Sequence, residues 1–427
     1  MSTEEKSKRV IVCFGPGPMF KGGIQNYNTS LALALDKVEG TAVHIVSWTQ
    51  QYPAIIPREF VDKSSKSDLL EGSSVQVKYL TNYNNPISWH DTVEYIRSLR
   101  AEKVIFQWSI ALQGLPIGYM VKRLKKAGIE VILDLHFVIQ KEHSAIDKYL
   151  TKRGIINANT YIVHAMKTWE ELRTIFPEKQ LVLSYDGKRA APQTTVIKLF
   201  HPIYDLFKPD PHFDVEGFKS QHGLKRHVFL FFGFIRKYKG LHHTIRAFAR
   251  VAKQRDDVSL LICGESFWHT LDNKKFSTRV KNLLFGAAKI LLVKKSDDER
   301  NYRPLELIQE LEIEKQCVVF NSFIPNEDVH KYFQVSDAAV LYYITATPSG
   351  IESLSYNFSL PLLATRVGHF PETIRDGYNG YLAEAENVED MSRQMIRILE
   401  HPIQRANVKE ATKDMSWENY AKAILMR

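Results

Sequence analysis

The sequence predicts an α/β protein built from two doubly wound, Rossmann-like domains facing a cleft. Three observations predict it. Short apolar runs alternate with amphipathic stretches from residue 9 onward, glycine-bearing loops follow the first run of each half, and a proline-rich break at 201–214 divides the alternation into two similar series. At 427 residues the chain also exceeds what one ordinary core accommodates.

In the first series, residues 10–14, 43–47, 75–80, 104–108, 131–135 and 161–163 read as strands, with helices such as 26–35 and 116–126 between them. A strand at 195–200 closes a domain spanning 1–200, and the linker is 201–214. The second series, at 227–233, 258–264, 317–320, 338–341 and 361–365, gives a domain over 215–405. Residues 406–427 are expected to form a helix that packs back on the first domain.

One connection is too long for this pattern. About fifty residues separate the strands ending near 264 and beginning near 317, and an insertion is expected at 266–303. Within it, 274–295 carries seven basic residues and no acidic one, with apolar residues at helical spacing. That pattern fits a basic amphipathic helix on anionic lipid, or equally a surface helix packed on its own domain.

Net charge is +9, of which +7 falls in residues 1–200. This bias favours an anionic partner surface. No DNA- or RNA-reading motif accompanies it, so a membrane surface is favoured over nucleic acid. Apolar runs are far shorter than the roughly 20 residues of a membrane span. The start of the chain lacks a signal-peptide pattern, and Cys13, Cys263 and Cys317 lack metal-type spacing. A cytoplasmic protein with buried reduced thiols, peripheral on the inner face of the cell membrane if it meets lipid at all, is the expectation.

Three loops carry candidate chemistry. Residues 15–23 hold Gly22 and Gly23 just before a helix, where backbone can approach a ligand closely, although the G-x-G-x-x-G fingerprint is not met. Residues 233–240 place Arg236, Lys237 and Lys239 after the first strand of the second series, where cations would neutralise a diphosphate. Residues 345–350 form a Thr/Ser/Gly turn between a strand at 338–341 and a helix at 351–358, which aims helix amides at an anion. His136, His143, His164 and His201 lie near strand ends of the first series without zinc-like spacing, and suit hydrogen bonding to a sugar or a structural role.

Together these segments resemble the retaining, family 4 type of nucleotide-sugar glycosyltransferase with the two-domain GT-B fold. The resemblance rests on KGGIQNY (21–27), FFGFIRKYKGLHHTIRAFA (231–249), LLICGE (260–265), VVFNSFIPNEDVHKYFQVSDAAVL (318–341) and PLLATRVGHFPETIRDGYNGYL (361–382). It implies a nucleoside diphosphate sugar donor bound mainly by the second domain, a glycan or lipid-linked acceptor on the first, and no metal or other cofactor.

By the resemblance, Lys239 falls on the lysine that contacts the donor diphosphate, and Arg236 lies two residues from the place of the family arginine, where Phe234 stands. Gly22 and Gly23 match the loop approaching the diphosphate, and His136 is assigned to the donor sugar. Gly233, Gly264, Glu265, Ile324, Thr347, Ser349, Gly350 and Ile351 are the remaining expected donor-binding positions. The family's two glutamates, eight positions apart, fall on Ala346 and Leu354; Glu352 is the nearby carboxylate and is taken as a catalytic candidate. Residues 346–350 are similar to an Ala-Thr-x-Ser-Gly turn of one branch of the family, whose hydroxyls and amides would take over the carboxylate contacts. A retaining transferase serving cell-surface polysaccharide or glycolipid synthesis is the reading implied. A non-catalytic nucleotide-sugar or partner-binding relative is the alternative, and an epimerase using Asp134, Glu142 or Glu265 a third.

Overall fold

The computed structural model describes residues 8–53, 60–139, 145–266 and 302–426. The expected basic helix at 274–295, His143 and Glu142 lie outside the described residues. The chain divides into two units: residues 1–63, 68–202 and 415–427 form the first, and 64–67 with 203–414 form the second.

The first unit holds one eight-stranded sheet, ordered β3-β2-β1-β4-β5-β6-β8-β7 with every pairing parallel. Its strands are β1 (Arg9–Phe14), β2 (Thr41–Gln50), β3 (Gln76–Asn82), β4 (Lys103–Trp108), β5 (Glu130–Leu135), β6 (Thr160–Val163), β7 (Leu181–Ser184) and β8 (Thr194–Lys198). The helices are α1 (Gly23–Asp36), α2 (Pro86–Ser98), α3 (Gly114–Lys126), α4 (Ala145–Ile155) and α5 (Met166–Ile175). β4 and β6 are buried along their whole length, and β5 nearly so. Helices cover such a parallel sheet on both faces, which is why KVIFQW and TYIV read as continuous runs rather than alternating ones.

The second unit holds a six-stranded parallel sheet, ordered β11-β10-β9-β12-β13-β14. Its strands are β9 (His227–Phe232), β10 (Val258–Cys263), β11 (Cys317–Phe320), β12 (Ala338–Leu341), β13 (Leu362–Thr365) and β14 (Gly380–Ala383). The helices used below are α6 (Val215–His222), α7 (Leu241–Ala252), α8 (Gly350–Asn357), α9 (Phe370–Thr373) and α10 (Val388–Glu400). α7 and α10 pack side by side. Phe248, Met391 and Met395 belong to the same buried core as Phe229 and Leu363 of the sheet. The last helix, α11 (Trp417–Leu425), belongs to the first unit and packs on α1.

β7 and β14 were not expected from the sequence. Both are four residues long, and β7 is only half-buried. The unit boundary falls between Pro202 and Ile203, at the start of the proline-rich stretch.

In both sheets the strand order reverses beside the unit's first strand, between β1 and β4 in the first unit and between β9 and β12 in the second, and the first sheet turns back again at its β8-β7 edge. Loops leaving neighbouring strands in opposite directions open a crevice at the carboxyl ends there, where open α/β sheets bind ligands.

Candidate functional site

In the second unit, the loops leaving β9 and β12 lock together at the reversal point. Ile344 N donates to the Tyr238 carbonyl oxygen at 2.7 Å. Gly240 adopts a left-handed conformation (φ 65°), and a Cβ on it would lie 2.0 Å from the Tyr342 carbonyl oxygen. Only glycine can take that conformation at that separation without strain.

This interlock holds Lys239 in the interior, 7% exposed, with its ammonium 5.9 Å from the centre of the Tyr343 ring. The same ammonium lies against Gly233, where a Cβ would come within 2.9 Å of Nζ. Burial and then the neighbouring Arg236 pull the Lys239 pKa down to about 7. Both influences disfavour the charged form, which an anion beside the ammonium would favour.

Beside it, α8 starts at Gly350, one residue earlier than expected. Ser349 is its N-cap, and its Oγ accepts from Ile351 N at 3.3 Å. Ile351 reaches the Gly233 backbone, and Gly264 lies against the Gly233 carbonyl. The Glu265 carbonyl oxygen accepts from Ile235 N at 3.0 Å. The structure therefore brings Gly233, Lys239, Gly264 and Ile351 together, with Glu265 one hydrogen bond away. Thr347 is exposed on the same loop, Arg236 lies 5.8 Å from the Tyr238 ring centre, and Ile324 is buried after β11.

Glu352 has another setting. It is 3% exposed and accepts hydrogen bonds from His369, Thr373 and Tyr356. These contacts tie α8 to α9 and occupy both carboxylate oxygens. In this structure Glu352 is engaged by Tyr356 of its own helix and by His369 and Thr373 of the following segment. Ala346 and Leu354, at the places of the family glutamates, are both buried.

In the first unit, Gly22 (φ 116°) is the N-cap of α1 and makes no side-chain cap bond, with open space where a Cβ would stand. Gly23 is the first residue of α1. His136, directly after β5, donates from Nε2 to Gln107 Oε1 at 2.8 Å. Burial lowers its pKa to about 4, so the imidazole is neutral.

Around it sits a buried cluster that sequence reasoning did not assemble. His164 Nε2 donates to Asp134 Oδ1 at 2.8 Å, and Tyr420 OH to Asp134 Oδ2 at 2.8 Å. Burial is the largest influence and opposes ionisation of Asp134, but His164, His136 and the Tyr420 hydroxyl together outweigh it and hold the carboxyl below its usual range. The Tyr27 ring stands edge-on to His136 at 4.8 Å and to His201 and Trp417 at 4.9 Å each. Asp134 is thereby committed to hydrogen bonding within the unit. Among the described residues, no three His, Cys, Asp or Glu side chains are arranged to hold a metal ion.

Comparison with known proteins gives this geometry a class. Residues 213–415 match the family model for glycosyl transferases group 1. Sixty-four residues are 41% identical to an uncharacterised glycosyltransferase of Methanocaldococcus jannaschii, covering 14% of this chain and 18% of that protein. Spore coat protein SA of Bacillus subtilis is 22% identical over 237 residues, 54% of this chain and 55% of that protein. The chain thus spans less than two thirds of the length of either curated relative. The fold is the GT-B fold: HepE of Anabaena, solved in complex with UDP-glucose, superposes with a TM-score of 0.65 at 14% identity over 97% of this chain and 98% of that one.

Proposed function

We propose that the protein transfers a sugar from a nucleoside diphosphate donor to a glycan or lipid-linked acceptor with retention at the anomeric carbon, in cell-surface polysaccharide or glycolipid synthesis. The observation that carries the reading is Lys239, a buried cation at the reversal point of the second sheet, beside the Ser349-capped start of α8. The UDP-glucose bound to HepE supports a nucleotide-sugar donor.

In this reading Lys239, Arg236 and the amides of Thr347, Ser349 and Gly350 take up the charge that develops on the departing diphosphate, Pro348 having no N–H to donate. The bond from the anomeric carbon to the phosphate oxygen breaks, the acceptor oxygen bonds on the same face, and the acceptor proton passes to the departing phosphate. Thr347 and Ser349 hydroxyls serve where the family has carboxylates. Gly22, Gly23 and His136 are assigned to the donor by resemblance, His136 acting as a neutral hydrogen-bonding partner. No metal enters the scheme.

Buried Ala346 and Leu354 favour a second reading, donor binding without transfer. Incubating the purified protein with a panel of nucleotide sugars and membrane extract separates the two. Acceptor-dependent release of nucleoside diphosphate, with an α-linked product from an α-linked donor, is expected. Donor binding with no release establishes the second reading, and an inverted product removes retention.

A further inference from the structure

We propose that the first turns of α3 and α4 form a docking surface of the first unit for anionic lipid, with Leu115, Ile146 and Tyr149 entering the headgroup region. The proposal goes beyond the transfer reaction and does not depend on it.

Large apolar side chains left in water are informative when they gather at one place. Leu115 is 47% exposed, Ile146 61% and Tyr149 57%. Leu115 and Ile146 are each the second residue of their helix, and Tyr149 follows one turn after Ala145.

The two helices are in register. Leu150 of α4 lies against Gly114 of α3, and Arg153 against Gly118, so the helices run parallel. Residue 150 being level with 114, Ile146 lies about 6 Å beyond the start of α3 at 1.5 Å per residue, and Ala145 about 7.5 Å beyond it. Ile146 therefore projects past its neighbour on the side where the strands end, while Tyr149 stands level with the start of α3. Tyrosine, apolar in body and polar at its tip, suits a headgroup layer.

Charge selects the partner. α3 contains no acidic residue and α4 only Asp147, whereas Lys148, Lys152 and Arg153 of α4 are exposed within about one turn of Tyr149, Lys152 also lying 3.8 Å from Glu178, and Lys122, Arg123 and Lys126 are exposed farther along α3. Apolar tips backed by exposed cations match a negatively charged interface, where each nearby cation adds affinity and salt weakens it.

The test is co-sedimentation of the full chain with phosphatidylglycerol vesicles and with phosphatidylcholine vesicles. Binding to the first and not the second is expected, with a loss of about tenfold in affinity for the double variant Ile146→Ser, Tyr149→Ser. A second double variant, Lys148→Glu with Arg153→Glu, is expected to lose binding as well while retaining the wild-type melting temperature. Phosphatidylglycerol binding that survives the Ile146→Ser, Tyr149→Ser change overturns the proposal. A wild-type chain that stays in the supernatant with both vesicles also overturns it and leaves this surface to a protein partner.

Discussion

The Lys239 ammonium rests 5.9 Å from the centre of the Tyr343 ring, so a cation from the loop after β9 is seated on an aromatic from the loop after β12. A ring face attracts the cation without neutralising it, as a carboxylate would. The lysine thus stays available to an anion while both loops hold it in place.

A proton-linked affinity follows. With Lys239 near pKa 7 in the empty site, a bound diphosphate raises that value, and binding above pH 7 takes up a proton. Titration calorimetry of UDP at pH 7.5, in buffers of different ionisation enthalpy, is expected to show uptake of part of a proton and weaker binding as pH rises. Binding with no proton linkage would count against the poised lysine.

Gly240→Ala tests the interlock of the two loops. The new methyl would meet the Tyr342 carbonyl at a left-handed backbone position. A loss of roughly 1–3 kcal/mol in unfolding free energy is expected, with donor affinity falling in parallel.

Ser349→Ala removes the N-cap of α8 and is expected to cost about 1 kcal/mol of stability, while Ser349→Gly costs only a few tenths. Donor affinity separates the roles of this side chain. Equal donor loss in both variants assigns the hydroxyl to the ligand, and loss in the alanine variant alone assigns it to the helix.

The histidine cluster predicts acid sensitivity. His136 has a pKa of about 4 in the folded protein and about 6.5 unfolded, so the unfolded chain binds more protons between those values. Its contribution is fully present above pH 6.5 and is lost as pH falls toward 4, on the order of 3 kcal/mol in total. Burial lowers the His201 pKa in the same direction. Urea denaturation of His136→Gln across pH 4–7 is expected to show a shallower acid loss than wild type.

Much of this architecture was legible in the chain. β4, β9 and β10 are apolar runs, and the loop 233–240 sits after a first strand, so the place of Lys239 followed from strand order alone. β7 escaped because LVLS is a half-buried edge strand, and β14 because GYLA is four residues inside a Gly/Asn turn region. Tyr343 was within reach, since it closely follows β12 at the reversal point. The setting of Glu352 was not, because its partners Thr373 of α9 and His369 just before that helix lie 21 and 17 residues away. The Asp134–Tyr420 bond joins residues 286 apart, and only the apolar spacing of Trp417, Tyr420, Ala421 and Ile424 hinted that this helix docks on a core.

The most direct test of the central claim is donor turnover in Lys239→Ala against wild type, at pH 6.5 with a donor the wild type accepts. A fall of about 100-fold or more in kcat/KM with an unchanged melting temperature is predicted, the scale of losing one preorganised donor to the departing charge. Turnover close to wild type would contradict the placement of the donor diphosphate at Lys239.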